Sequence, residues 1–406
     1  MLNDDSKYFS LSGDMPIGGP TTWHVTDWDQ RRIISVTMDG DRYSSELPLS
    51  VYRIYVSDNG EIITKFTDAK DDQTSYVHYL SLRDVVLPDG VRTIRRDELE
   101  ELDRLGPDTD LIAYPPCANE SAKKVVFKYY FLWQYAPMFW KEMNLWMRLP
   151  RHPNIAPFDS VVIDELEGRI IGFVVDYIPG GNLEENTSRV FKLDWLRQLI
   201  RAVDDLNLRY GISHQDIAPR NLLVDESTDS IMLCDFNYAA RMKRPTQDES
   251  ESYIKERNDV KGVVFTAYEI ITRDDSLRMK PHEEQILESV EQIKWEKHPA
   301  VKLDYPVEAY REVLREWQKK RKAADLTNGD TSKWIHWPPR PKPPKKTIQT
   351  TDMLGNPTSF TIDEWSERRQ DVLARGGKVL NWERPPQQRL LDEGIRVLAT
   401  GEIINC

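Results

Sequence analysis

The chain has 406 residues, 39% of them hydrophobic and 30% charged, with a net charge of −12. That is enough for two domains or one large domain with extensions, and the acidic balance disfavours a general affinity for nucleic acid, because no basic excess is present to displace counterions. No run of eighteen apolar residues occurs and the N-terminal MLNDDSKYFSLSGD has no apolar h-region, so neither a transmembrane helix nor a secretory signal is expected. Three widely spaced cysteines, Cys117, Cys234 and Cys406, argue against a disulfide framework or a zinc site. They fit a reducing compartment, cytoplasmic or nuclear.

Residues 1–20 carry Gly, Pro, Ser and Asp with little periodicity and are expected to form a disordered lead. From 21 to 105 short β-like runs dominate. RIISVTM (32–38) and VYRIYV (51–56) precede Asp58-Asn59-Gly60, and EIITKF (61–66) follows it, which is a hairpin signal. SYVHYLSL (75–82) continues the pattern, so a small antiparallel β unit is predicted, and the acidic stretch 95–105 reads as a connecting helix. Its histidines, His24 and His78, are read as structural.

Past residue 106 the pattern changes. VVFK (125–128) is an apolar strand ending in a lysine. In YAPMFWKEMNLWMRL (135–149), Pro137 suits the first turn of a helix. Phe139, Met143, Trp146 and Met147 recur there at helical spacing, and Glu142 sits fourteen residues after Lys128. HPNI (152–155) follows. IIGFVVDY (170–177) reads as a buried strand broken by Pro179-Gly180-Gly181, and 193–210 as an amphipathic helix with Leu196, Leu199, Ile200, Val203 and Leu206 inward. It leads into SHQDIAPRNLLVDESTDSIMLCDFN (213–237), a loop, a strand, a tight turn and a strand, with Asp216, Asn221 and Asp235 on one rim. Such oxygen-bearing side chains suit Mg²⁺, which takes hard oxygen ligands and keeps water and phosphate oxygens in its shell.

This stretch resembles the catalytic and metal-binding loops of eukaryotic protein kinases, with His-Gln-Asp for His-Arg-Asp and Asp-Phe-Asn for Asp-Phe-Gly. VVFK is similar to the family's Val-Ala-Ile-Lys strand, HPNI to the exit of its glutamate-bearing helix, and DVKGVVFTAYEIIT (259–272) to a later helix of its helical lobe. The resemblance covers roughly 107–322. It implies an α+β, two-lobed protein kinase-like fold, with a small β-rich N-lobe over 106–178, a mainly helical C-lobe over 179–322 and 21–105 as a β-rich N-terminal extension. It also implies ATP and Mg²⁺. Asp216 would orient the acceptor hydroxyl and take its proton, Asn221 and Asp235 would hold Mg²⁺, and Lys128, paired with Glu142, would meet the α- and β-phosphates. Val126, Val175 and Leu223 would line the adenine site, with Val175 as gatekeeper and the backbone of Asp176 and Ile178 bonding the ring. Arg220 resembles the arginine that replaces the catalytic-loop lysine in tyrosine kinases, presenting a fork to phosphate. His214 would pack the loop. Taken together, the motifs most resemble divergent kinase-like proteins of filamentous fungi.

Four features depart from the family. GPDTDLIAYPPCANESAKK (106–124) has one glycine, Gly106, so the Gly-rich phosphate lid is altered or absent. Gln215 removes the cation that reads a phosphorylated activation loop. Asn237 replaces a glycine whose left-handed φ it is expected to follow. Only 24 positions separate Asp235 from Asp259 and no Ala-Pro-Glu intervenes, so the peptide-docking segment is short, and RMKRPTQDESESYIKERN (241–258) is expected to be mobile. The resulting expectation is an ATP- and Mg²⁺-dependent phosphotransferase acting on a hydroxyl, foremost of a protein. A pseudokinase scaffold, and a small-molecule kinase of the aminoglycoside or choline phosphotransferase type, stay open.

PHEEQILESVEQIKW (281–295) and PVEAYREVLREWQKKRKAA (306–324) read as helices. The remainder, 323–406, is expected to be a Pro/Lys-rich linker and a helical tail. WIHWPPRPKPPKK (334–346) is a semi-rigid linker or, over 338–344, a polyproline II ligand for an SH3-like groove. DEWSERRQDVLARGG (363–377) reads as one more helix. No membrane partner is expected.

Overall fold

A computed structural model describes residues 8–14, 19–38, 51–114, 122–242, 253–323, 333–351 and 356–383, with the strands Ile395–Val397 and Ile403–Asn405. Two units divide the chain. The first comprises Met1–Ala136, Ser160–Val174 and Pro341–Cys406, the second Pro137–Asp159 and Val175–Arg340.

In the first unit, a five-stranded sheet runs in sequence order through Tyr8–Asp14, Thr21–Asp27, Arg32–Met38, Arg53–Val56 and Ile62–Phe66. Val25, Ile34, Val36, Ile54 and Val56 form its core. Within the expected disordered lead, residues 8–14 are a paired strand, while 1–7 and 15–18 lie outside the described residues. The sheet is not wholly antiparallel. Arg32–Met38 and Arg53–Val56 run parallel, which the long connection 39–52 permits where a hairpin would not. The Asn59-Gly60 hairpin forms, with Gly60 at φ 87°.

A second sheet carries the lysine. Its order is Arg92–Arg95, Phe158–Ile163, Arg169–Asp176, Lys124–Tyr129, Thr109–Ala113 and Glu100–Gly106, with Leu80–Ser81 pairing the Arg169–Asp176 strand. The helix expected over 95–105 is therefore a strand, a short 3₁₀ turn (Arg96–Glu98) and a second strand. The leucines of this stretch, Leu99, Leu102 and Leu105, fall at helical spacing, but its backbone pairs with Thr109–Ala113. Its buried members are instead Asp103 and Arg104, and Arg104 donates to the Asp29 carbonyl (2.6 Å) and to Glu101 (3.0 Å). The sheet consequently takes strands from both sides of residue 106.

Far segments close around the lysine strand. The Arg31 guanidinium, itself at φ 55°, pairs with Asp110 and the Tyr129 hydroxyl and lies 4.1 Å over the Tyr129 ring. Trp382 stacks on that ring at 4.9 Å and donates Nε1–H to the Tyr79 hydroxyl (2.9 Å). The expected 363–377 helix is part strand, Ser366–Arg368 against Ser75–Val77, and part helix, Arg369–Ala374. The tail also forms a hairpin, Lys345–Thr351 with Pro357–Asp363. His24 and His78 take structural partners, Ser35 and Glu367.

In the second unit, Leu193–Asp204 buries Leu196, Leu199 and Val203, then widens into a π-helical turn, Asp205–Arg209. Asp259–Thr272, capped by the Asn258 side chain on Lys261 N–H (3.0 Å), is buried on nearly every face. Val307–Ala323 lays Tyr310, Leu314 and Trp317 inward. Of the helix predicted over 281–295, Leu287–Gln292 is α-helical. Trp337 is buried rather than part of a free linker.

The lysine strand admits no bulk beside it. A Cβ on Gly172 would strike the Phe127 ring and stand 2.6 Å from the Lys128 carbonyl oxygen. Gly172→Ala is expected to destabilise the protein by about 1–3 kcal/mol, the usual cost of overpacking, read as a lowered urea midpoint with an unchanged m-value.

Candidate active site

The hairpin Leu222–Asp225/Ser230–Leu233 forms in the register Leu222↔Leu233 to Asp225↔Ser230. Its tight turn closes because the Asp225 carboxylate accepts from Ser227 N–H (2.9 Å) and from the Ser227 and Thr228 hydroxyls, with Asp229 left-handed at φ 53°. Leu222, Val224, Ile231 and Leu233 are buried while Leu223 faces the more open side. HPNI docks on the same hairpin. Asn154 donates to the Ile231 carbonyl (3.0 Å) and its own carbonyl accepts from Leu233 N–H (2.9 Å). His152 accepts from Asn154 N–H through Nδ1 (3.0 Å), and its Nε2 meets Asp205 (3.1 Å).

Before the hairpin, Ile212–Ser213 pairs with Ala240–Arg241 and opens the loop. One buried carboxylate then fixes that loop. Asp259 accepts from Asn207 Nδ2 (2.7 Å), His214 N–H (2.8 Å) and Gln215 N–H (2.7 Å). Gln215 is held left-handed, φ 62°, a conformation that costs a non-glycine residue roughly 1–2 kcal/mol. Its side chain donates to the Ile254 carbonyl (2.7 Å), so the residue standing for arginine binds the end of the following segment through a neutral contact.

Asp216, Arg220 and Asn221 come together. Both Asp216 carboxylate oxygens accept from Arg220 Nη2 (2.7 and 2.9 Å), while Asn221 Nδ2 donates to the Asp216 carbonyl (2.8 Å) and to Oδ2 (2.9 Å). That assigns the Asn221 nitrogen to the loop, leaving its oxygen as the atom with ligand chemistry for a hard cation. Burial opposes the Arg220 charge most strongly of any single cause, but the carboxylates of Asp216, Glu184 and Asp235 together hold the guanidinium above its ordinary pKa. At 44% side-chain exposure Arg220 can swing away to release a carboxylate oxygen.

Asp235 follows at φ 65°. The left-handed residue of this turn is therefore Asp235, not Asn237, which corrects the sequence reading. Cys234 N–H donates to the Asn221 carbonyl (3.0 Å) and ties the two metal-ligand candidates to one strand end. Phe236 is fully buried against the His214 ring (4.8 Å) and Trp146 (5.0 Å), and its N–H donates to Glu142 (3.1 Å). His214 takes Asp216 N–H on Nδ1 (3.3 Å) and meets the Cys234 carbonyl through Nε2 (3.0 Å), a pattern that requires the neutral Nε2–H tautomer.

Lys128 and Val126 share the half-open face of the lysine strand, in the first unit, whereas Val125, Phe127 and Tyr129 are buried. Glu142 is in the second unit, on the helix Ala136–Trp146. Val175 is buried, and Asp176 N–H donates to the Pro157 carbonyl (3.0 Å). Ile178 follows two residues on, half-buried. The hairpin before the lysine strand exists, but its turn is only Pro107-Asp108, with Thr109 opposite both Gly106 and Lys128. Tyr129 N–H holds the Asp108 carbonyl at 3.0 Å. Proline has no N–H to offer a phosphate. Residues 115–121 and 243–252, within the expected lid and activation segments, lie outside the described residues.

Sequence reasoning missed Asp259 and Asn207 as anchors, Gln215 as a tether and Trp334 and Trp337 as packed residues. The Gln215 amide, still a donor, was the one local signal.

A protein kinase domain model matches residues 116–283. The chain carries a protein kinase-like domain. Among curated proteins, it is 39% identical over 102 residues to CBL-interacting serine/threonine-protein kinase 16 of Arabidopsis thaliana, covering 24% of this chain and 21% of that protein. With CBL-interacting serine/threonine-protein kinase 5 of the same plant, identity is 36% over 112 residues, 25% and 23% of the two chains. For CBL-interacting protein kinase 11 of Oryza sativa subsp. japonica the values are 34% over 108 residues, 25% and 20%. The chain thus spans about a fifth of the length of these relatives. Among the described residues no helix is long and apolar enough to cross a membrane.

Two expectations follow for this kinase-like domain. Asp259→Ala strands three buried N–H donors and is expected to cost about 3 kcal/mol or more in urea unfolding, whereas Asp259→Asn keeps an acceptor and loses less. Burial pushes the His152 imidazole below its ordinary pKa, against the pull of Asp205. Its contribution to stability is present above the unfolded value of about 6.5 and is lost as pH falls through it toward the lower folded value. His152→Gln is expected to flatten the decline of the urea midpoint between about pH 7 and pH 5.

Proposed function

We propose that the protein transfers the γ-phosphoryl group of ATP, with Mg²⁺, to a hydroxyl of a protein acceptor. The observation that carries this reading is the loop in which Asp216 and Asn221 share hydrogen bonds of 2.8–2.9 Å under the anchor of Asp259. Asp216 orients the acceptor hydroxyl and takes its proton once Arg220 turns aside toward phosphate. Lys128 meets the α- and β-phosphates from the open face of its strand, beside Val126. Val175, the Asp176 carbonyl, Ile178 and Leu223 receive the adenine. Mg²⁺, when bound, offsets charge on the phosphates.

The donor set fits that ion on one condition. Among the described residues no group of three His, Cys, Asp or Glu side chains forms a metal site. Asn221 and Asp235 supply two oxygen groups, so the remaining ligands must be water and nucleotide oxygens. Mg²⁺ is therefore held with ATP rather than before it. A recess of about 240 Å³ beside the loop, lined by Leu183, Glu184, Pro219, Glu269 and Arg273 among others, gives a protein acceptor a place to rest.

The Pro107-Asp108 turn favours a second reading, a pseudokinase that binds partners without turnover. A two-residue turn cannot arch over a triphosphate, and Asp108 carries the wrong charge to face one.

Melting separates the readings. Mg²⁺ alone is expected to leave the melting temperature unchanged, while Mg-ATP at a hundred times its dissociation constant stabilises the fold by about 2.7 kcal/mol. ATP turnover is then expected to fall by about a hundredfold or more in Asp216→Asn, and comparably in Lys128→Met. Stabilisation by Mg-ATP without wild-type turnover selects the pseudokinase. Equal turnover in all three proteins refutes the residue roles.

A further inference from the structure

Between the last helix of the second unit and its end at Arg340 runs the segment Trp334–Trp337, and it does not hang free. Ile335 N–H donates to the Tyr210 carbonyl (3.0 Å). Trp334 lies against Gly211, where a Cβ would stand 2.6 Å from its Cγ and where φ is +70°. Trp337 is 4% exposed, its ring lies 3.9 Å from the Arg241 guanidinium, and its carbonyl accepts from Arg241 Nη2 (2.5 Å).

The residues gripped are the root of the catalytic loop. Arg241 pairs with Ile212 and Ala240 with Ser213, one residue before His214. Met242 N–H donates to the Gly211 carbonyl (2.8 Å) and extends the same ladder. A two-residue ladder is too short to hold itself. Arg241 also faces a like charge, for burial and then Arg241 lower the pKa of Arg148. The Trp337 ring and carbonyl hold Arg241 against both by cation–π attraction and a charge-assisted hydrogen bond.

We propose that Trp337 and Arg241 are positioning residues, a strap from outside the matched kinase domain that sets the root of the loop bearing Asp216. The effect on turnover rests on the phosphotransferase reading. The grip on the ladder does not.

The test uses the full chain with Trp337→Ala and Trp337→Phe. By amide hydrogen exchange, Trp337→Ala is expected to speed exchange at the described residues 212–213 and 240–242 by about tenfold, with the Asp259–Thr272 helix unchanged. Trp337→Phe, which keeps a ring under Arg241, restores most of the protection. In ATP turnover, kcat of Trp337→Ala falls by about tenfold with KM for ATP unchanged, since Trp337 acts through Arg241 on the root of the loop. Unchanged exchange in Trp337→Ala overturns the strap, and faster exchange with wild-type kcat overturns its positioning role. Absence of turnover in the wild type condemns the phosphotransferase reading instead, and leaves the strap to be judged by exchange.

Discussion

A carboxylate withdrawn from water must be met by donors, and Asp259 meets that requirement with three N–H groups from two other segments of its unit. A charge so placed leaves the loop little freedom, because moving any donor away exposes a buried, unpaired partner. The constraint explains why Gln215 tolerates a left-handed backbone. It also explains the π-helical turn at Asp205–Arg209, which brings Asn207 round to reach both Asp259 and the Ile212 carbonyl (2.8 Å). From this anchor the order passes outward. His214, set by its main chain, takes one tautomer, packs Phe236, and Phe236 offers its N–H to Glu142.

The parts of this arrangement that depend on near neighbours were legible in the sequence. The apolar strand ending in Lys128, the helical spacing around Glu142 and the Asp216–Asn221–Asp235 hairpin all formed, because each is a short-range pattern with its own turn chemistry. What escaped was set by distant contacts. The charged run 95–105 looks helical until its backbone partner, Thr109–Ala113, is known. Asp259 shows nothing of its role in its own neighbourhood. Which residue of Asp235-Phe236-Asn237 turns left-handed depends on the packing of Phe236, not on the intrinsic tolerance of Asn237.

Replacing arginine by glutamine beside Asp216 changes how the loop is tied to the segment after it. An arginine there would answer to a phosphate. The Gln215 amide instead meets a backbone carbonyl at Ile254, a contact indifferent to phosphorylation. In the first unit, the Pro107-Asp108 turn is likewise held by a fixed local contact, since Tyr129 N–H donates to the Asp108 carbonyl.

The lysine strand is dressed by residues from both far ends of the first unit, Arg31 and Trp382, which meet on the Tyr129 ring. A ribosome delivers these in order, so Tyr129 emerges more than two hundred residues before the indole that covers it. Until then the strand presents an unfinished aromatic surface, the kind of exposed apolar area that chaperones bind. The unit holding this strand thus receives its last covering indole only after Trp382 is made, whereas the loop-bearing unit, which ends at Arg340, has its partners in hand earlier.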